Sequence, residues 1–351
     1  MIEPRDEVKP LSAYDVPQMR AEVELDSNES PWNLTPGIRA EIEEALKSLE
    51  YNRYPDISAT TLRDAIAAVY ELGPENILVG NGSNEVIMDI LITFGGPGRL
   101  ALIFEPTYSM HAGILNITGT NYLDCPLDED FMIDADEAVA YIGREKPDLV
   151  FVCSPNNPTG NSQKPEVIDR ILEAAECPVV VDEAYGEFLM ESVMGLLPKF
   201  ENLIIVRTFS KAFQLAALRV GYMIANDGIV DLVNRVRLPY NMNAFSQTAA
   251  EIVIKNRNDL EGQLQSIRRE RERLFEGLKQ IDGVEPFPSD ANFILFKTRK
   301  EASHVYNDLL NKGVLIRDFS QNKGLERCLR VTVGTAEQNG VFLKRLKEAM
   351  S

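Results

Sequence analysis

Histidine is nearly missing from this sequence. The 351 residues include two, His111 and His304, too few for a histidine metal cluster and poor material for a Ser-His-Asp triad. Acid–base work would then fall mainly to lysine, tyrosine or a carboxylate. Cysteine is scarce as well. Cys125, Cys153, Cys177 and Cys328 are widely spaced and form no C-x-x-C pair, which argues against a zinc site or a disulfide framework and fits a reducing cytoplasm. No metal is expected. No apolar run approaches the roughly 20 residues of a membrane-spanning helix. The opening MIEPRDEVKP is charged and has no apolar stretch of the secretory type, so the reading is a cytoplasmic protein. Basic residues are outnumbered: 36 Lys and Arg stand against 54 Asp and Glu, a net charge of −18, which argues against nucleic acid or an anionic membrane as partner. There is no fixed-period repeat and no low-complexity tract.

What is present is apolar content of 44%, enough for a sizeable core, and a length greater than one core usually serves. Residues 1–35, rich in proline and charge, read as an extended arm that packs with a small domain. Residues 36–240 read as a large domain and 241–351 as a smaller α+β domain. In the large domain short apolar runs alternate with helical patterns: Ile77–Val79, Leu100–Phe104, Leu149–Cys153, Pro178–Val181 and Leu203–Val206 are the strand candidates. That alternation predicts an α/β fold, with a mostly parallel sheet covered by helices on both faces. Beyond Tyr240 the pattern predicts one long helix over 246–280. Short strands, including 314–317 and 328–333, and two more helices follow.

The chemistry is concentrated in Leu203–Tyr222, reading LIIVRTFSKAFQLAALRVGY. Its apolar strand stops and delivers Ser210, Lys211 and then Arg219. An ammonium beside a buried strand costs several kcal/mol unless compensated. One compensation is chemical, a neutral amine held in a Schiff base with the aldehyde of pyridoxal 5'-phosphate. Ser210 and Arg219 then suit that cofactor's phosphate. An isolated Ser-Lys pair would read as a surface turn, but two other strands have the same design. Leu149–Cys153 ends in Ser154-Pro155-Asn156-Asn157-Pro158-Thr159-Gly160, and Pro178–Val181 ends in Asp182-Glu183-Ala184-Tyr185. Ligands bind outside the carboxyl ends of parallel strands, so the three tips can converge. Asp182 suits the ring nitrogen, Asn157 and Tyr185 suit the ring hydroxyl, and Lys211 suits proton transfer. Upstream, Gly80-Asn81-Gly82-Ser83-Asn84 joins a strand to a helix, a natural anion site at a helix start.

These motifs, in this order and spacing, resemble the fold-type I, PLP-dependent aminotransferases nearly end to end. Within them the chain looks most like the histidinol-phosphate aminotransferase branch. Asn52-Arg53-Tyr54-Pro55, Asn28-Glu29-Ser30-Pro31 and Leu329-Arg330-Val331-Thr332-Val333-Gly334-Thr335 carry that likeness, with Ser30 standing where the branch often has asparagine. The resemblance implies catalytic roles for Lys211, Asp182 and Tyr185. It implies cofactor contacts from Ser83, Asn84, Tyr108 (stacked on the ring), Asn157, Ser210 and Arg219. Tyr54 would reach a neighbour's cofactor phosphate across a homodimer. Tyr14, Asn28, Arg317 and Arg330 would bind histidinol phosphate, with glutamate and 2-oxoglutarate as the second pair. An aromatic amino-acid aminotransferase and a threonine-phosphate decarboxylase share much of this pattern. A PLP-binding module without turnover is the alternative of another class.

Overall fold

The computed structural model describes residues 3–5, 8–9, 19–189 and 191–351, so Tyr14 lies outside the described residues. In chain order the strands are β1 (Val23–Glu24), β2 (Ile77–Gly80), β3 (Leu100–Ile103), β4 (Asn121–Asp124), β5 (Leu149–Cys153), β6 (Val179–Asp182), β7 (Leu203–Thr208), β8 (Gly221–Ala225), β9 (Val284–Pro286), β10 (Phe293–Thr298), β11 (Val314–Leu315), β12 (Arg317–Asp318) and β13 (Cys328–Thr332). Seven of them form one sheet in the order β2-β8-β7-β6-β5-β3-β4. β7, β6, β5, β3 and β4 run parallel, and β8 runs against both β7 and β2.

The central strands are apolar over most of their length because both faces of the sheet are covered. Alternation along each strand shares the residues between two cores. Val150, Val152, Val181, Ile205 and Ile224 face helices Pro36–Leu46, Thr60–Val69, Pro165–Ala174 and Ala244–Lys255. Phe151, Val180, Ile204 and Met223 face helices Ser83–Phe94, Ser109–Thr118 and Asp227–Asn234.

A second sheet, β12-β13-β10-β9, is antiparallel and packs with helices Glu261–Lys279, Ala302–Asn311 and Ala336–Met350 around Phe293, Phe296 and Phe342. The last helix opens with a reciprocal capping box between Thr335 and Gln338. Val23 and Leu25 of the N-terminal segment belong to this core, and β1 pairs with β11 in parallel.

Two expectations are corrected. The helix expected over 246–280 is broken: Ala244–Lys255 ends at Asn256, whose Nδ2 donates to Ile252 O, and a short turn Arg257–Leu260 leads to Glu261–Lys279. The first part packs into the large core through Ala249, Ala250 and Val253, the second into the small core through Leu264 and Ile267. The chain passes from the first core to the second between Leu260 and Leu264. The strand expected over 314–317 is divided at Ile316, its two halves pairing with β1 and β13.

Candidate active site

β5, β6 and β7 are neighbours, and their C-terminal ends open on a cavity of about 360 Å³. Of the expected residues, this cavity brings together Asn28, Ser83, Asn84, Tyr108, Asn157, Asp182, Tyr185, Ser210, Lys211, Arg219, Arg317 and Arg330. Tyr54 does not line it. That side chain is 80% exposed and stacks on Tyr240 at 4.5 Å between ring centroids.

Lys211 lies three residues past the end of β7, where the strand gives way to a turn. Its Nζ donates to Ser27 O at 3.0 Å and lies 5.9 Å from the centre of the Tyr185 ring. Burial lowers its pKa to about 8, helped by Arg330 and Arg219 and opposed by Glu29 and Asp26.

Asp182 closes β6. Its Oδ1 accepts from Ala184 N at 3.0 Å, and its Oδ2 accepts from His111 Nε2 at 2.9 Å. His111 is fully buried, stacked on Phe151 and edge-on to Tyr108. Sequence reasoning passed over His111. The available signal was its spacing: Tyr108 and His111 are three apart at the start of helix Ser109–Thr118 and so share one face.

Tyr185 OH accepts from Asn28 Nδ2 at 2.8 Å, which leaves its own O–H to donate into the cavity. Burial pushes this phenol well above its ordinary value, so it stays a donor across the neutral range. Asn28 is held in the left-handed region (φ 53) by bonds from its N–H to Thr332 Oγ1 and from Asn292 Nδ2 to its carbonyl.

The opposite wall is an anion cradle. Helix Ser83–Phe94 begins at Gly82 without a side-chain cap, so its positive end faces the cavity through Ser83 and Asn84. Arg219 Nη1 donates to Ser210 Oγ at 3.2 Å, and Thr208 Oγ1 donates to the same oxygen at 3.0 Å. Two glycines make this approach possible. A Cβ on Gly82 would stand 2.6 Å from Arg219 Nη2, and one on Gly221 would stand 2.2 Å from Ser83 N. Tyr108 OH reaches Asn84 Oδ1 at 3.3 Å.

The small domain closes the cavity with Arg330 and Arg317, which are register partners on β13 and β12. Alternation turns Leu329 and Val331 to the core and Arg330 to the cavity. The Arg330 guanidinium lies between the rings of Phe293 (5.1 Å) and Phe319 (5.0 Å), donating to Asn157 Oδ1 at 2.5 Å and Asp26 O at 2.7 Å. Phe319 lines the cavity as well, and the sequence reading did not single it out.

The model of the family "Aminotransferase class I and II" matches residues 20–346. The chain belongs to the class I and II aminotransferases. It is 40% identical to histidinol-phosphate aminotransferase of Thermoanaerobacter pseudethanolicus, over 99% of this chain and 98% of the relative. It is 42% identical to the protein of that name from Streptomyces avermitilis, over 98% and 95%. The crystal structure of the histidinol-phosphate aminotransferase from Clostridium acetobutylicum superimposes with a TM-score of 0.87 at 28% identity, over 93% of this chain and 99% of that one. That of Sinorhizobium meliloti, in complex with pyridoxal-5'-phosphate, shares the fold with a TM-score of 0.91 at 23% identity, over 100% and 98%.

The chain is thus an aminotransferase, and pyridoxal 5'-phosphate is the cofactor of these enzymes. The residues present fit that group. The cradle at Gly82 and Gly221 suits a phosphate, the amine of Lys211 is neutral often enough to meet an aldehyde, and the buried Asp182 carboxylate is fixed by two hydrogen bonds. Among the described residues, no helix is long and apolar enough to cross a membrane.

Proposed function

We propose that this enzyme moves an amino group between histidinol phosphate and 2-oxoglutarate, as a step of histidine biosynthesis. The observation that carries the choice of substrate is the Arg317–Arg330 pair. Like charges directly opposite on neighbouring strands repel, and both of these line the cavity. An anion between them turns that repulsion into attraction. Arginine forks suit both a phosphate ester and the carboxylates of glutamate, the two anions one site must accept in turn. The names of the curated relatives point the same way.

Bound pyridoxal 5'-phosphate supplies an aldehyde that takes up amines and a ring over which the charge left by proton removal can spread. Lys211 would hold it, and its amine, with a pKa of about 8, is suited to take a proton from the substrate carbon at neutral pH. Asp182, oriented by His111 and by Ala184 N–H, would keep a proton on the ring nitrogen. Tyr185 and Asn157 would hold the ring hydroxyl, the amide of Asn157 being oriented by its bond from Arg330. Ser83, Asn84, Ser210 and Arg219 would hold the phosphate, and Tyr108 would cover the ring. Asn28 and Tyr14 would close over the substrate. A second copy of the chain is the partner proposed for the exposed surface around Tyr51, Tyr54 and Leu238.

The test is kcat/KM for histidinol phosphate and for phenylalanine in the wild type and in Arg317→Ala. A hydrogen bond to a charged group is worth about 1.5–3 kcal/mol, so histidinol phosphate should lose roughly ten- to a hundredfold. Phenylalanine, with a single anion for Arg330, should lose less. If phenylalanine is the better wild-type substrate, or both amines lose equally, the aromatic aminotransferase replaces this reading. Carbon dioxide released from threonine phosphate would make the enzyme a decarboxylase.

A further inference from the structure

Behind the cavity floor lies a buried charged cluster that none of the contacts above uses. Thr208 of β7 lines the cavity, while Ile205 faces the opposite core, and Arg207 shares its side of the sheet. Arg207 is 5% exposed. Its Nη2 donates to Glu183 Oε2 and, at 2.8 Å, to Ser192 Oγ. Its Nη1 donates to Glu187 Oε1 at 3.0 Å and to Tyr70 OH at 3.4 Å. Glu183 is held further by Val193 N and Ser192 Oγ. Arg268 of the small-domain helix Glu261–Lys279 donates to the carbonyl of Glu187 at 2.9 Å.

The geometry of this grip is specific. Glu183 directly follows Asp182, and Glu183 and Glu187 bracket the turn Ala184-Tyr185-Gly186. The turn is pressed against the guanidinium, because a Cβ on Gly186 would stand 3.0 Å from Arg207 Cζ. Stability alone does not require such a cluster, since apolar side chains of similar volume often replace buried ion pairs at no loss. A planar fork that holds both ends of one turn does something an apolar filler cannot. We propose that Arg207 is a positioning residue for the transfer reaction: by holding Glu183 and Glu187 it fixes the turn that aims the Asp182 carboxylate and the Tyr185 hydroxyl into the cavity. The inference rests on the roles proposed above for those two residues.

The experiment uses the cofactor-loaded enzyme and compares wild type, Tyr185→Phe, Arg207→Lys and the charge-balanced double variant Arg207→Met/Glu183→Gln. The readouts are the pH midpoint of the visible absorbance, kcat, KM, cofactor affinity and Tm. A hydroxyl donating to the cofactor's ring oxygen favours its ionised form and holds the midpoint down, so Tyr185→Phe raises it. Both Arg207 variants should raise it too, by about 0.5–1 pH unit, a fraction of the full effect of a hydrogen bond to a charged group. Their kcat should fall about ten- to a hundredfold, the scale of a misplaced catalytic group, with KM little changed and cofactor affinity weakened by no more than the several-fold that the midpoint shift itself implies. If Arg207→Lys does not fold, the double variant decides. An Arg207 midpoint equal to wild type while Tyr185→Phe is shifted overturns this inference alone, as does a double variant that regains both Tm and kcat. An unshifted Tyr185→Phe overturns the reading of the site, and this inference with it.

Discussion

Replacing Lys211 by methionine should stabilise the cofactor-free protein at neutral pH. In the unfolded chain this amine titrates at its ordinary 10.5, whereas the folded site lowers it to about 8. Below pH 8 the amine is charged in both states, and the fold bears the whole cost of holding an ammonium next to Arg330. Between 8 and 10.5 the folded form sheds its proton first. The unfolded state then binds more protons, and stability rises with pH. Above 10.5 both forms are neutral and the penalty is gone. The gap between 10.5 and about 8 corresponds to about 3 kcal/mol, a ceiling because the cavity is open to water. Unfolding entropy near 2.1 cal/mol/K per residue makes this about 4 °C in Tm for 351 residues. Calorimetry of both proteins from pH 7 to 10.5 should therefore show Lys211→Met ahead at pH 7 and the two curves converging as pH rises. Equal Tm at pH 7 would mean that the ammonium is not penalised, and a gap constant with pH would mean only that methionine packs better. Either result removes the physical argument for a reactive amine.

Two further substitutions address the cradle and the assembly. Gly221→Ala puts a Cβ 2.2 Å from Ser83 N and 2.4 Å from the Gly82 carbonyl carbon, backbone that cannot yield without moving the helix start. Loss of a charged hydrogen bond there should weaken cofactor binding about ten- to a hundredfold in equilibrium dialysis, and unchanged affinity would place the phosphate elsewhere. Tyr54→Phe and Lys211→Ala, each disabling alone, should regain activity when unfolded and refolded together, because a mixed pair contains one complete site; a fully active monomer in sedimentation would end the shared-site proposal.

The strand tips were legible because each apolar run stops abruptly at residues with a chemical use: Asn157, Asp182, Lys211. Buried parallel strands favour apolar residues along most of their length, so the change of composition marks the approach to the edge of the sheet. The antiparallel direction of β8 follows from what occupies residues 209–220. That stretch holds the lysine turn and the short turn Ala216–Leu218, leaving no room for the helix that a parallel crossover needs. The break at Asn256 was not legible, since Asn256-Arg257-Asn258-Asp259 has neither glycine nor proline. What stops that helix is tertiary: the two halves belong to different cores. His111 was hidden for a related reason. Its spacing from Tyr108 places it on one helix face but names no partner, and only the fold brings it beside Asp182.

The acidity of the chain sets a condition on how it can take anions. A net charge of −18 repels a phosphate ester at long range, yet Lys211, Arg219, Arg317 and Arg330 all line one cavity. At physiological salt, charges more than about 8 Å apart on the surface are largely screened. The repulsion therefore fades within the distance over which the cavity's own cations begin to act. Capture rests on short contacts from side chains already held in place: Arg330 by Asn157, the carbonyl of Asp26 and two aromatic rings, Arg219 by Ser210. Prearranged donors lose little entropy on binding, which is what lets a local cluster prevail over the charge of the whole molecule.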